Sequence, residues 1–130
     1  MTPIDWDKIE YFEPEEFQHP ELLRREMIEK LDELRFLVGF PLKITSSYRT
    51  PEHNESVGGV KDSAHLVDPV DGKYSGIDIS TGPIGAAGVF QLVRQCYAVG
   101  FSRIGVYSAH IHLDIEHRLP QQVMWVGKDS

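Results

Sequence analysis

The chain has 130 residues, a usual length for one domain, and 41% of them are hydrophobic, enough for one core. Its formal net charge of −7 argues against a phosphate-backbone partner, because nucleic-acid binders carry a basic stripe. A single cysteine, Cys96, excludes an intrachain disulfide and any Cys-rich zinc knuckle, and no apolar run approaches the roughly 20 residues of a membrane span.

In chain order, Met1–Trp6 has neither a basic stretch nor an apolar one, so no signal peptide is expected and the chain reads as made soluble in the cytoplasm. Residues 1–19 read as an irregular segment whose acids (Asp5, Asp7, Glu10, Glu13, Glu15, Glu16) form a solvated surface. Trp6, Tyr11, Phe12 and Phe17 would anchor it to the domain. From Pro20 a helix is expected: Leu22, Leu23, Met27, Ile28, Leu31, Leu34 and Val38 recur at helical spacing, and Gly39 ends the stripe. Leu42–Ser46 alternates like a strand. Residues 51–62 read as a loop with one helical turn, and 66–75 as a second loop rich in turn residues. Ile77–Ile79 is a short strand, and a second helix spans about Ile84 to Val99 with Cys96 buried in it. Strands follow at Ile104–Tyr107, Ile111–Ile115 and Val123–Val126. The order implies a single α+β domain over 1–130, with a mainly antiparallel sheet and helices packed on one side.

Two features on these strands carry chemistry. Alternate strand residues share a face, so His110, His112 and Asp114 point one way while Ile111, Leu113 and Ile115 point to the core. Asp78 sits between two isoleucines, where an inward carboxylate is costly unless it is paired or bound to a metal. With His65, these residues offer two imidazoles and a carboxylate. Such a set can hold Zn²⁺ through three protein donors and leave a fourth position open, as catalytic zinc sites do.

The run Ile44-Thr45-Ser46-Ser47-Tyr48-Arg49-Thr50-Pro51-Glu52-His53-Asn54, then Val57-Gly58-Gly59-Val60 and Ser63-Ala64-His65-Leu66, resembles the zinc peptidases of bacterial cell walls. That family comprises D-alanyl-D-alanine carboxypeptidases and dipeptidases, and phage endolysins that cut the L-alanyl-D-glutamate bond. The resemblance covers about residues 11–116, is most specific over 44–66, and extends by fold to the hedgehog domain, which ends similarly to Ala109-His110-Ile111-His112. It implies a hedgehog/DD-peptidase-like fold and one Zn²⁺ held by His65, Asp78 and His112. It implies that Arg49 holds a substrate carboxylate or polarises its carbonyl, and that Ser63 hydrogen-bonds substrate. His53 and Asn54 are read as loop-shaping, and His19 and His117 receive no role.

Two departures from the family pattern stand out. Twelve residues separate His65 from Asp78 where the family leaves about six, so 67–72 reads as an insertion. Asp71 is then a rival ligand by spacing, although Asp71-Gly72 is good turn chemistry. Asp68 and Asp71 could also take a hard cation such as Ca²⁺, with a solvated turn as the simpler reading. Second, several members place a carboxylate three residues before the last histidine as general base, and here that residue is Ala109. His110 is the expected substitute, with Asp114 as an alternative that could instead orient His112.

The expected activity is a zinc peptidase on peptidoglycan stem peptides, monomeric, without nucleic-acid or membrane partners. The resemblance suggests a phage or prophage protein reaching the wall after phage-type release or in a virion. The rival is a non-hydrolytic zinc-containing binding module of the same fold.

Overall fold

A computed structural model describes residues 3–127; residues 1–2 and 128–130, at the ends of the 1–130 domain and the 1–19 segment, lie outside the described residues. Five strands form one sheet: β1 (Ile44–Ser46), β2 (Ile77–Ser80), β3 (Arg103–Val106), β4 (His110–Asp114) and β5 (Val123–Val126). Their order is β1-β2-β4-β3-β5. Every neighbouring pair is antiparallel except β3 and β5, which run parallel. The helices are α1 (Arg25–Val38), α2 (Pro51–Ser56) and α3 (Gly85–Val99). This is the expected α+β architecture.

One face of the sheet builds the core. Ile77 and Ile79 of β2, Ile104 of β3, and Ile111 and Leu113 of β4 are buried with Met27, Ile28, Leu31 and Leu34 of α1 and Leu92, Cys96 and Val99 of α3. Phe12 and Phe17 join this cluster and Trp6 and Tyr11 pack against it, so the acidic N-terminal segment is tied down by its aromatic rings. Gly39 and Gly100 end α1 and α3 in the left-handed conformation.

Several boundaries differ from the sequence reading, most of all at the start of α1, where a tertiary contact wins. Helix α1 starts at Arg25, not Pro20. Residues Pro20–Leu22 make a single 3-10 turn, and Leu23 forms a parallel bridge with Tyr74. There the Arg24 N–H donates to the Tyr74 carbonyl, and the Tyr74 N–H to the Leu22 carbonyl, both at 2.9 Å. Strand β1 is confined to Ile44–Ser46, with an irregular register against β2. The helical turn in 51–62 is a six-residue helix, with Pro51 at its first position and the Thr50 hydroxyl accepting from His53 N–H at 3.0 Å. Among the described residues, no helix is long and apolar enough to cross a membrane.

Burial pushes the Cys96 thiol up to about 12, so the reactive thiolate is suppressed at neutral pH. Native protein at pH 8 should resist alkylation at Cys96 and react fully once unfolded in denaturant, as followed by intact mass. Rapid labelling of the folded chain would contradict this packing.

Candidate functional site

The opposite face of the sheet carries the polar residues. Register places Asp78 of β2 across from His112 of β4, with Gly105 of β3 on the other side of His112 and Trp125 of β5 beyond it. His65 enters from the loop after α2, whose path is set by the Arg49 N–H donating to the His65 carbonyl at 2.9 Å. The three donors named from the sequence converge. His65 Nε2 lies 3.2 Å from Asp78 Oδ1, His112 Nδ1 lies 2.9 Å from that oxygen, and the two ring nitrogens are 3.2 Å apart.

The remaining contacts of each ring determine which nitrogen carries a lone pair. His65 Nδ1 is 2.5 Å from the Ser47 carbonyl. A carbonyl can only accept, so Nδ1 is the N–H and Nε2 faces the cluster with its lone pair. His112 Nε2 is 2.6 Å from Asp114 Oδ2. The Asp114 carboxylate also accepts from Arg103 Nε at 2.7 Å and from the Glu116 N–H at 2.9 Å, which keeps it ionised. His112 therefore donates through Nε2 and turns Nδ1 inward.

Three acceptors thus face one another in a buried space and call for a positive charge between them. The pKa shifts agree. Burial alone would raise Asp78, but the His112 and His65 rings packed against it hold its carboxyl well below the ordinary carboxylate range. Burial lowers His65. Burial would lower His112 too, yet Asp114 and Asp78 outweigh it and raise the ring to about 9, so a proton balances the cluster when nothing else does. The spacing also suits a metal ion. Tetrahedral zinc with bonds of about 2.0–2.1 Å sets its donors about 3.3 Å apart, close to the separations found here. His65, Asp78 and His112 can hold a metal through one atom each.

The cluster forms the floor of a cleft of about 450 Å³. Arg49 stands at its edge with Nη2 3.6 Å from Asp78 Oδ2, braced by Asn54, whose Oδ1 lies 3.3 Å from Arg49 Nη1. Ser63 lines the same cleft, its hydroxyl accepting from the His65 N–H at 3.2 Å. His110 is partly exposed and places Nε2 3.8 Å from Asp78 Oδ2. Asp114 is fully buried behind His112, on the ring edge turned away from the other donors.

Asp71 is not among them. It pairs with both terminal guanidinium nitrogens of Arg24, and its Oδ1 accepts from the Lys73 N–H at 3.1 Å. Nor is Asp68 a solvated turn residue: it is buried, with Arg24 Nη2 at 3.6 Å and Arg118 Nε at 3.7 Å from Oδ2. Asp68, Glu116 and His117 form a second group of possible donors. There Arg118 already lies 2.8 Å from Glu116 Oε1, so guanidinium charge serves both acids. Asn54, read as loop-shaping, is buried and donates to the Val60 carbonyl at 2.8 Å.

Sequence reasoning missed Ser47, Arg103, Tyr107 and Trp125. The parity of β3 was the available signal, since Arg103 and Gly105 must share the face opposite to Ile104. Ser47 acts through its backbone carbonyl, which no residue type advertises.

A mixed sheet with one polar face and a two-histidine, one-carboxylate cluster defines a site that could hold a metal ion. The family model for peptidase M15 matches residues 11–114, and the chain belongs to that family of zinc-dependent peptidases acting on peptidoglycan peptides. No curated protein matches the chain.

The chain should take up one divalent ion. Asp114→Asn should weaken that uptake by about 10- to 100-fold, because the partner that fixes the His112 ring is lost. Competition against a chromogenic chelator reads the difference, and an unchanged affinity would separate Asp114 from the metal.

Proposed function

We propose that this protein is a zinc metallopeptidase that hydrolyses peptidoglycan stem peptides, as a D-Ala-D-Ala carboxypeptidase or as an L-Ala-D-Glu or other muropeptide endopeptidase. The convergence of His65 Nε2, Asp78 Oδ1 and His112 Nδ1 at the floor of an open cleft carries the reading. Zn²⁺ in such a site supplies a Lewis acid that polarises a carbonyl and brings the pKa of water to near 7.

The chain's own residues divide the remaining work. Arg49 offers a planar guanidinium fork at the cleft edge, suited to a stem-peptide carboxylate or to the carbonyl under attack. Ser63 keeps its hydroxyl hydrogen available for substrate, because its oxygen is the acceptor for the His65 N–H. His110, on the same side as the donors and reachable by solvent, takes the proton from the attacking water or steadies the developing oxyanion. Asp114, sealed behind His112 and held by Arg103, orients the metal-binding ring. Action at the wall, after phage-type release or from a virion, and a monomeric state complete the proposal.

A non-hydrolytic zinc-containing module is the second reading, and Ala109, where an acid would serve as base, favours it. Mass spectrometry of digested muropeptides separates the two. The proposal expects release of D-Ala or scission of a stem peptide, abolished by thorough chelation and by His112→Ala. Arg49→Ala should raise KM by about 10- to 100-fold, the worth of a charge-assisted hydrogen bond. Tight metal binding with no cleavage across D-Ala and L-Ala-D-Glu peptides would establish the binding module instead.

A further inference from the structure

The family match ends at residue 114, yet the segment beyond it reaches back into the cleft. Strand β5 lies parallel to β3 with Trp125 opposite Gly105. The Trp125 ring sits 5.7 Å from the His112 ring and 5.1 Å from the Arg103 guanidinium carbon. Its indole N–H donates to the Tyr107 hydroxyl at 3.0 Å. Tyr107 in turn stacks on His110, with ring centres 4.4 Å apart and planes 10° from parallel. Two glycines make room for these rings. A Cβ at Gly105 would meet the indole at 2.6 Å, and one at Gly127 would meet the Tyr107 ring at 1.9 Å. The backbone on both flanks has thus been stripped of side chains where the aromatic rings lie.

We propose that Trp125 and Tyr107 are positioning residues: the indole fixes the phenol by one hydrogen bond, and the phenol face fixes the plane of the His110 ring beside the His65–Asp78–His112 cluster. An imidazole at the mouth of a cleft has two free torsions, and a partly exposed one samples both. Stacking on a ring that is itself tethered removes that freedom and leaves His110 Nε2 directed at the cluster. Trp125, on the C-terminal strand and outside the matched region, therefore acts on His110 through Tyr107, which lies inside it.

This rests on the role assigned to His110 above, and the test keeps the two apart. In the full-length, metal-loaded protein, His110→Ala decides that role: unchanged turnover would dismiss His110 itself. Given a loss there, Tyr107→Phe and Trp125→Phe delete the same hydrogen bond from its two ends. Each should lower kcat by about three- to tenfold with KM and metal content unchanged, and the double variant should fall no further than the worse single. Tyr107→Leu, which removes the stack, should cost about a hundredfold in kcat. An independent readout needs no turnover: in the metal-free and loaded protein, the His110 ring protons should resonate upfield under the Tyr107 ring current, and Tyr107→Leu should abolish the shift. Should Tyr107→Leu not fold, the phenylalanine pair and the His110 resonance decide alone. Multiplying effects in the double variant, a change in KM in place of kcat, or an unshifted His110 resonance in the native protein would each overturn the proposal.

Discussion

The structure depends on the mutual repulsion of three acceptors. The Ser47 carbonyl and the Asp114 carboxylate set the tautomers of His65 and His112, and both rings then turn a lone pair toward Asp78 Oδ1. No arrangement of neutral hydrogen bonds satisfies all three at once, because each neutral ring has already used its only N–H elsewhere. The cluster must hold either a proton or a cation. That demand is imposed from outside it, by a backbone carbonyl on one side and an arginine-held carboxylate on the other. The same partners that make the site a good metal cradle make it an uncomfortable place without one.

Strand β4 shows how the fold meets the cost of burying such a group. Its odd-numbered residues, Ile111 and Leu113, are wholly buried between the sheet and helices α1 and α3. Full burial of two such side chains is worth about 1.5–3 kcal/mol each. Its even-numbered residues carry His110, His112 and Asp114 on the other face. Burying an ionised carboxylate there is expensive unless every acceptor position finds a donor. Asp114 meets that condition with three donors: Arg103, His112 and the Glu116 amide. The period of two that drives folding is therefore the period that delivers the site, and a slip of one residue in the β2–β4 register would bury the histidines in the core.

This explains which parts could be read from the chain. Periodicity located α1 and α3 and all five strands, because their burial patterns are local properties of the sequence. The start of α1 was missed because Leu22 and Leu23 fit a helical stripe equally well, and only the bridge from Leu23 to Tyr74 removes them from it. At the site, Asp78 and His112 were legible because a carboxylate and an imidazole amid apolar strand residues are costly without a purpose, whereas His65, in a polar loop, was marked only by the family resemblance. Arg103 was not, since an arginine near a strand end reads as a solvated charge until its partner Asp114 is known to be buried. Trp125 reads as an ordinary strand aromatic, and what distinguishes it is the absence of a side chain on Gly105, two strands from the histidine it approaches.

The long spacing between His65 and Asp78 is harmless for a geometric reason. The Ala64 carbonyl accepts from both the Ser75 and Gly76 amides, at 3.1 and 2.8 Å, so the chain closes on itself just before His65 and just before β2. Whatever lies between is a loop whose ends are already held together. Doubling the length of such a loop costs only about 0.6 kcal/mol in closure entropy. Arg24 and Arg118 tie Asp68 and Asp71 down onto the body of the domain. Asp71 is thus committed to anchoring the inserted loop, and the donor triad is unaffected by how many residues the loop contains.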